Sequence, residues 1–416
     1  MQKVAVEAVP VEEMVRLTSY DEIDEVLRGK SFVQGAFAES KSVHGGVVTE
    51  LDGPPHFERR RTMGVLVRGD ALASYELEVL IPDLKKSIER VRAATPPGEP
   101  PQGDLVPMIR TLLYRFGSRL VGLDDVDSEE RITRLLAVIR LLTLGSTVHW
   151  SDEDHDTVMR RAEAALADFD REFVGPSKER RKELIAAWRR GEIEESEIPR
   201  DVITLHLMHP PQDFDEGLIV RESKVFLSAS TSSSTAATAH AVEHFSRWLD
   251  AHPEDVSRLD EFNFVRAALA EAIRLHPTQP GLIRRATEDL ALRSGREVRA
   301  GEYFMLEHRA GNRDKTVWGE DADEFNPDRR EGPRARPYGF GFGGGRHVCM
   351  GQKATTGVFV DEDVPAGGED EPQGNLVRVL QCLMKEGARP DPDRAPVREA
   401  TKLGIYRSYP VVFTPR

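Results

Sequence analysis

Apolar residues recur at helical spacing through most of the chain. They stand three and four positions apart from Leu135 to Leu142 and from Val265 to His276, and the pattern continues over a long stretch from Val225 to Leu249. A period near 3.6 residues places such positions on one face of a helix. Leu17 to Gly29 predicts a shorter helix that is capped near Ser19 and stopped by its final glycine. The pattern indicates a mainly helical protein.

A different pattern follows the last of these helices. Strand and turn signals alternate through Leu282 to Asp289, Ala300 to Leu306 and Ala310 to Asp314. Near the N-terminus, Phe32 to Leu51 carries single apolar residues among small and polar ones, as a surface loop does. We therefore expect a mainly α fold with a small β region.

Composition narrows the class of protein. The 416 residues contain no Ser/Gly-rich linker, so length alone leaves one large or two ordinary domains open. With 39% hydrophobic and 31% charged residues, the chain has the composition of a globular protein with a substantial core. The formal net charge of -14 argues against a general nucleic-acid binder, because phosphate contacts need clustered positive charge.

Cysteine use and hydropathy indicate the compartment. The two cysteines, Cys349 and Cys382, provide no disulfide framework and suit a reducing environment. The first residues lack the apolar run of a signal peptide, and no later stretch approaches the roughly 20 apolar residues that span a bilayer. We expect a cytoplasmic protein without a membrane segment.

The glycine-rich sequence from Phe342 to Gly351 presents Cys349 in a tight turn that ordinary side chains would forbid. A phosphate-binding loop would place Gly-Lys-Ser/Thr here, but the first lysine is Lys353. Zinc is disfavoured because Cys382 is the only other cysteine and neither belongs to a paired spacing. A single thiolate on one metal remains, which is an arrangement that haem iron accepts.

The order Phe-Gly-x-Gly-x-His-x-Cys-x-Gly resembles the haem-ligand loop of the cytochrome P-450 superfamily, in its bacterial-type soluble form. The resemblance implies the helical fold of that family and haem b as cofactor. It also implies that Cys349 is the iron ligand and that Phe342, His347 and Gly351 contact the cofactor.

A second motif lies in the N-terminal part of the chain and contains the start of a predicted helix. A proline pair opens a helix in Asp52 to Arg61, and His56 and Arg60 lie four apart on one face. The family has His-x-x-x-Arg here, which implies that both bind the haem propionates. Arg284 stands where the family has another propionate-binding arginine, and His347 completes the set. Charge-assisted donors suit a buried dianionic edge.

A third motif is Glu271-Ala-Ile-Arg274, which matches the family's Glu-x-x-Arg. A surface pair at this spacing contributes under about 1 kcal/mol. In the family the pair is buried with a third partner, which the resemblance places at Arg329. We expect this network to fix the structure rather than to take part in catalysis.

The centre of the long helix departs from the family. Ala229 to Thr235 is rich in hydroxyl residues, where the family has Ala-Gly-x-acid-Thr across the distal haem face. Aligned on that pattern, Ser230 replaces the glycine, Ser232 the acid and Ser233 the threonine. Serines hold water but do not act as acids at neutral pH. The next His-Pro-Glu comes about one helical turn late, which leaves a register centred on Ala237 and Thr238 open.

The resemblance implies a haem-thiolate monooxygenase that inserts oxygen into a small apolar molecule, in specialised metabolism. Because no flavin or nicotinamide domain fits in the chain, electrons from NAD(P)H would arrive through a separate ferredoxin-type partner. The abnormal distal helix leaves two alternatives. One is peroxide-driven or atypical oxidative coupling or rearrangement chemistry, and the other is a non-catalytic haem-binding protein.

The chain departs from the family again after Gly357. Residues 358 to 374 form an acidic insert of disorder-like composition, and helical spacing resumes at Leu376. Cys382 lies on the apolar side of that helix, as an inert core thiol does. The N-terminal part also looks shortened, and the resemblance implies that the loop from Phe32 to Leu51 covers a substrate pocket. We expect one cytochrome P-450 domain over residues 1–416, with the insert either a selectivity device toward acidic ferredoxins or a solvated loop.

Overall fold

Helices dominate the computed structural model, which describes residues 9–67, 76–212, 214–329, 335–358 and 373–414. The α-helices are α1 Tyr20–Arg28, α2 Lys41–His44, α3 Gly53–Met63, α4 Ile81–Ala93, α5 Leu105–Val121, α6 Glu129–Ser146, α7 His155–Phe169, α8 Gly175–Arg189, α9 Val202–Met208, α10 Glu216–Ala251, α11 Phe262–Leu275, α12 His308–Gly311, α13 Lys315–Trp318, α14 Gln352–Thr356 and α15 Asn375–Lys385. Short 3-10 or π turns are Val11–Glu13, Gly64–Val67, Glu76–Leu80, Val148–Trp150, Asp170–Val174, Glu195–Glu197, Pro253–Asp260 and Gly345–His347. Among these residues, no helix combines the length and hydropathy that a membrane crossing requires.

The strands are short and form small sheets. They are β1 Val15–Leu17, β2 Phe32–Gln34, β3 Gln102–Asp104, β4 Gly281–Ala286, β5 Leu290–Ala291, β6 Glu297–Val298, β7 Tyr303–Glu307, β8 Ala388–Pro390, β9 Val397–Arg398, β10 Tyr406–Ser408 and β11 Pro410–Phe413. One sheet has the order β1-β7-β4-β2, a second has β3-β11-β8, and β9/β10 and β5/β6 form pairs. The antiparallel register of β2 and β4 places Gln34 opposite Arg284.

The long helix α10 is the centre of the fold. It packs against α5, α11 and α15, and the core between them includes Leu112, Phe245, Leu269 and Leu380. The Asp215 carboxylate caps its start by accepting from the N–H of Leu218. The helix predicted over residues 225 to 249 is therefore present and extends further at both ends.

Several sequence expectations are confirmed by the elements. Ser19 precedes α1 and Gly29 follows it, as the pattern predicts. Pro54 and Pro55 occupy the first turn of α3. The expectation of a plain loop from Phe32 to Leu51 is wrong, because β2 and α2 lie within it. Long-range pairing with β4 creates β2, and no local pattern carries that information.

The predicted ion-pair network is present and buried. Arg274 is fully buried and donates to the Glu271 carboxylate from Nε and Nη2 at 2.7 and 2.8 Å. Arg329 reaches the same carboxylate from Nε at 3.2 Å, and Arg274 Nη1 donates to the carbonyl of Asn312 at 2.7 Å. These bonds join α11 to the segments that lead to the cysteine loop.

Most of the acidic insert, residues 359–372, lies outside the described residues, as do residues 1–8 of the N-terminal part. The two ends of the insert meet: a Cβ on Gly374 would lie 2.3 Å from the nitrogen of Gly357. Arg266 bridges them, with Nε donating to the Thr356 carbonyl at 2.7 Å and Nη2 to Gln373 Oε1 at 2.9 Å. The chain thus leaves and re-enters the helical core at one point.

The helix after the insert is α15, which begins at Asn375, one residue before the predicted resumption. Cys382 is buried in the core, and burial raises its pKa to about 11. The prediction of a core thiol is confirmed.

Candidate functional site

The cysteine loop has a backbone that only glycine permits at two points. Gly343 and Gly345 have φ of +67° and +59°, in the left-handed region. A Cβ on Gly345 would lie 2.0 Å from the carbonyl oxygen of Leu27, so the loop packs directly on the end of α1. The N–H of Cys349 donates to the Phe342 carbonyl at 2.9 Å and closes the loop.

Cys349 has an accessible side chain although it lies deep in the fold. Its residue surface is exposed, yet desolvation raises the pKa of the thiol. The N–H groups of Gly351 and Gln352 and the charge of Arg60 oppose this shift. The two observations agree if the thiol faces a space enclosed by protein rather than bulk water. Such a thiol becomes a thiolate when a metal binds it.

The other predicted loop contacts frame this thiol. Phe342 is partly buried and meets the ring of Tyr338 edge-on, with centroids 5.0 Å apart. Gly351 stands at the N-cap position of α14, and a Cβ there would lie 3.8 Å from Cys349 Sγ. Within the described parts of the chain, no group of three or more His, Cys, Asp or Glu side chains could hold a metal ion.

A hydrogen-bonded chain of four side chains lies beside the cysteine loop. Arg284 Nη1 donates to Gln34 Oε1 at 2.7 Å, and Gln34 Nε2 lies 3.1 Å from His347 Nδ1. His347 Nε2 lies 3.1 Å from Asp52 Oδ1. Because the amide nitrogen of Gln34 is a donor, His347 accepts at Nδ1 and carries its proton on Nε2 toward Asp52.

Electrostatics distinguish the members of this chain. Burial lowers the pKa of Arg284 to about 10, and its Nη2 is buried without a hydrogen-bond partner in the described structure. Burial alone would raise the pKa of Asp52, but the bonds from His347 and the Gln34 N–H bring it below its usual value. The site therefore holds the Arg284 cation, which has an unused N–H donor, near the Asp52 carboxylate, which already accepts hydrogen bonds.

His56 and Arg60 reach the same region from α3. The His56 ring stacks on His347 with centroids 4.0 Å apart, and burial, reinforced by His347 and Arg60, lowers the pKa of His56 to about 4. Burial also lowers the pKa of Arg60, whose charge acts on Cys349. The structure thus brings together His56, Arg60, Arg284, His347 and Cys349.

The donor set fits a haem with its carboxylates at this edge. The unused Nη2 of buried Arg284 calls for an anionic acceptor, and a thiol in an enclosed space suits iron. His347 is the exception among the predicted contacts, because both of its ring nitrogens already bind protein groups. It would have to release Gln34 or Asp52 to bind a propionate directly.

The three predicted distal serines do not share one face of α10. Ser230 bonds back to the Leu227 carbonyl at 3.0 Å and faces Gly117 of α5, where an added Cβ would lie 3.0 Å from its Oγ. Ser232 lines a cavity of about 290 Å³ between α5, α6 and α10, together with Tyr114. Ser230 and Ser232 thus contact different surroundings.

Ser233 faces the segment that joins α11 to β4. Its carbonyl accepts from Thr278 Oγ1 at 3.4 Å, and its hydroxyl bonds back to Ala229 at 2.8 Å. Ala237 and Thr238, on which the alternative register is centred, are both buried, and Thr238 donates to the Ser234 carbonyl at 2.9 Å. Thr278 lies in the segment that leads into β4, the strand that carries Arg284.

Sequence reasoning missed several residues of the site. Gln34 and Asp52 complete the chain to Arg284, and Glu222 and Lys224 of α10 are fully buried. Asp52 occupies the N-cap position of α3 but makes no side-chain cap. Glu222 and Lys224 precede the helical pattern of residues 225 to 249, so no sequence signal marked them.

The comparisons with known proteins agree with this geometry. A family model described as cytochrome P450 matches residues 246–355, which include the Glu271/Arg274 pair and the cysteine loop. Over residues 246–355 the chain therefore carries the sequence pattern of the cytochrome P450 family.

Relatives with curated descriptions match over parts of their length. Cytochrome P450 71A27 of Arabidopsis thaliana is 27% identical over 212 residues, which is 44% of this chain and 39% of that protein. Cytochrome P450 734A5 of Oryza sativa subsp. japonica is 43% identical over 90 residues, covering 20% of this chain and 17% of that protein. The matched part of this chain thus spans about two fifths, or less, of these relatives' length.

Solved structures match over almost the whole chain. The structure of CalO2 has a TM-score of 0.69 at 19% identity and covers 100% of this chain and 94% of that chain. The structure of CYP109E1 from Bacillus megaterium in complex with testosterone has a TM-score of 0.67 at 16% identity, with 99% and 96% coverage. The expected cytochrome P450 fold, mainly α with a small β region, is confirmed.

Proposed function

We propose that this protein is a haem-thiolate monooxygenase that inserts an oxygen atom into a small apolar molecule. The observation that carries the proposal is the Cys349 thiol, which is fixed on a closed glycine loop and is accessible although desolvation raises its pKa. The buried, unpaired Nη2 of Arg284 supports it, because it provides for an anionic edge beside the same loop. Residues 1–416 are proposed to form one cytochrome P450 domain.

Each of the predicted site residues has a proposed role in binding the cofactor. Cys349 would bind the iron of haem b, with Phe342 and Gly351 beside it, and Arg284, Arg60 and His56 would hold the propionates. Asp52 and Gln34 orient His347 and Arg284 within this set. When bound, the haem supplies the activation of dioxygen, and electron density from the thiolate favours cleavage of the O–O bond.

Substrate and electron source are also part of the proposal. We assign an apolar substrate from specialised metabolism, and a protein of the same fold, CYP109E1, is described in complex with testosterone. We assign the delivery of electrons from NAD(P)H to a ferredoxin-type partner, as the family resemblance implies.

A second candidate is peroxide-driven oxygenation, or atypical coupling or rearrangement, on the same haem. The observation that favours it is the composition of α10 from Ser228 to His240, which contains no aspartate or glutamate. Ser233 holds its hydroxyl on the Ala229 carbonyl and leaves no side-chain acid on its face. A non-catalytic haem-binding protein is the third outcome.

Parallel turnover assays separate these candidates. Purified holoprotein would be offered apolar substrates with NADH, a ferredoxin reductase and a surrogate ferredoxin, and in parallel with hydrogen peroxide. The proposal expects oxygenated product with the electron-transfer mixture. Product with peroxide alone would favour the second candidate, and tight ligand binding without product in either mixture would favour the third.

A further inference from the structure

The segment between β2 and α3, residues 35–51, forms an arch whose two ends are joined at the cysteine loop. Gln34 and Asp52, just outside the arch, both bind His347 at 3.1 Å. The N–H of Gln34 also donates to Asp52 Oδ2 at 2.8 Å. The ends of the arch are thus fixed to each other and to the loop that carries Cys349.

The middle of the arch is held by charged side chains of α10. Arg221 Nε donates to the carbonyl of Gly45 at 2.7 Å. The Glu222 carboxylate accepts from the N–H of Val48, with both oxygens at 3.2 Å. One turn of α10 thus binds the arch at several points of its backbone and side chains.

Lys224 is fully buried and binds the arch through His44. Its Nζ lies 3.0 Å from His44 Nδ1 and donates to Ser146 Oγ at 2.5 Å. The Ser146 hydroxyl donates a hydrogen bond to the Leu142 carbonyl at 2.8 Å, so its oxygen accepts the hydrogen bond from Lys224. His44 Nε2 lies 2.8 Å from Thr49 Oγ1, which leaves Nδ1 as the acceptor.

This geometry suits a neutral amine. Two acceptors, His44 Nδ1 and Ser146 Oγ, satisfy the two N–H groups of an uncharged Lys224. Among the described residues, no carboxylate lies within ion-pair distance of Nζ, so an ammonium would keep one N–H and its charge unmatched. Burial lowers the pKa of Lys224 to about 7, although the charge of Glu222 opposes the shift.

Glu222 anchors the arch to α3 as well as to α10. It is fully buried and accepts from Arg59 Nη1 at 3.1 Å. Burial raises the pKa of Glu222 to about 7, against the lowering effects of Arg59 and the Val48 N–H. Removal of its charge would leave buried Arg59 without its carboxylate partner.

The chain of contacts continues to an aromatic ring. His44 stacks on Phe37, with ring centroids 4.1 Å apart and an interplanar angle of 19°. Phe37 has φ of +75°, a left-handed conformation that is strained for a residue with a Cβ. Because Lys224 fixes His44, it also fixes the ring that holds Phe37 in this conformation.

We propose that Lys224 and Glu222 are positioning residues that latch the arch onto α10 and control the rate at which small molecules reach the space before Cys349. Val47, buried among Leu218 and Val225, supplies the apolar part of the same contact. Burying ionisable groups is unfavourable, and lifting the arch would return them to water. The free-energy difference between the open and the closed arch is therefore smaller than it would be if an apolar contact of equal area held the arch. The entry role rests on the proposed haem function.

Lys224→Met tests the latch in the holoprotein, because methionine keeps the hydrocarbon bulk and removes both N–H donors. Lys178→Met is the matched control: Lys178 is only 9% exposed, but its Nζ bonds Glu216 from α8, away from the arch. We expect amide hydrogen exchange in residues 41–50 to rise roughly tenfold in Lys224→Met alone. Imidazole association with the ferric haem should accelerate severalfold in the same variant.

An unchanged exchange rate in residues 41–50 would overturn the proposal, as would a uniform rise over the whole chain. If Lys224→Met does not fold, Glu222→Gln replaces it, since the amide keeps the shape and removes the charge that Arg59 needs. The same local rise is then expected, and its absence is equally decisive. Failure of the haem function would appear as a missing thiolate band with carbon monoxide, whereas failure of the latch would leave that band intact.

Discussion

Arg284 and Gln34 lie opposite each other on neighbouring strands, and Arg284 Nη1 donates to Gln34 Oε1 at 2.7 Å. The second terminal nitrogen, Nη2, is buried and has no partner in the described structure. One nitrogen therefore fixes the guanidinium, and the other is left available to an anionic acceptor. The strand register that makes this pairing also brings the arginine to the cysteine loop.

Gln34→Leu should weaken cofactor retention. Without Gln34, Arg284 Nη1 keeps only its bond to the Ile283 carbonyl at 3.0 Å. Loss of one hydrogen bond to a charged group costs about 1.5–3 kcal/mol. We expect haem transfer to apomyoglobin to accelerate about tenfold. Gln102→Leu, at an exposed position in β3, is the control and should transfer haem at the rate of the unaltered protein. Equal rates in both variants would show that the pairing does not orient the propionate donor.

Arg266→Met should destabilise the fold, because Arg266 joins the two ends of the acidic insert. It donates to Thr356 and Gln373 from a fully buried position. Loss of these bonds should lower the free energy of unfolding by about 2–4 kcal/mol in urea titrations. Arg171→Met, on the exposed face of its π turn, should have no measurable effect. Equal free energies of unfolding for Arg266→Met and Arg171→Met would show that Arg266 does not stabilise the fold by joining the ends of the insert.

Acid should destabilise the protein through His308. Burial lowers the pKa of His308 to about 3, while the unfolded chain titrates near 6.5. Between these values the unfolded state binds more protons, so stability falls as the pH is lowered through 6.5. At pH 5 this one group accounts for about 2 kcal/mol. His308→Phe should reduce by that amount the difference between unfolding free energies at pH 7 and pH 5, and an unchanged difference would contradict the assignment.

Sequence predicted the local parts of the fold well. The helix from Tyr20 to Arg28, the Glu271/Arg274 pair and the cysteine loop each carry their information within a few neighbouring residues. Caps, helical spacing and glycine patterns are physical requirements of the local backbone. These requirements hold whatever the rest of the chain does.

The missed residues depend on contacts between distant segments. Gln34 meets Arg284 only because β2 pairs with β4, and Lys224 meets His44 only because the arch crosses α10. Nothing in a single sequence sets such a register. The serines illustrate a related difficulty: adjacent hydroxyls at Ser232 and Ser233 look equivalent in a list of residues, but successive helical positions turn by about 100° and face different elements.

Substitutions on α10 should identify the register of the distal helix. Ala237 shares a face with Ser233, whereas Ser232 lines the cavity against α5 and α6. We expect Ala237→Thr to improve the coupling of NADH consumption to product, because it supplies an alcohol in the register centred on Ala237 and Thr238. The double change Ser232→Glu with Ser233→Thr should give the smaller gain. The reverse order would support the register in which Ser232 and Ser233 replace the family's acid and alcohol.

The central claim is that Cys349 binds haem iron as a thiolate. The most direct test is the carbon-monoxide difference spectrum of the reduced holoprotein and of two cysteine variants. The account predicts the band characteristic of thiolate ligation in the unaltered protein and in Cys382→Ser, since Cys382 is a core residue with a pKa raised to about 11. It predicts loss of that band in Cys349→Ser. Retention of the band in Cys349→Ser, or its loss in Cys382→Ser alone, would contradict the account.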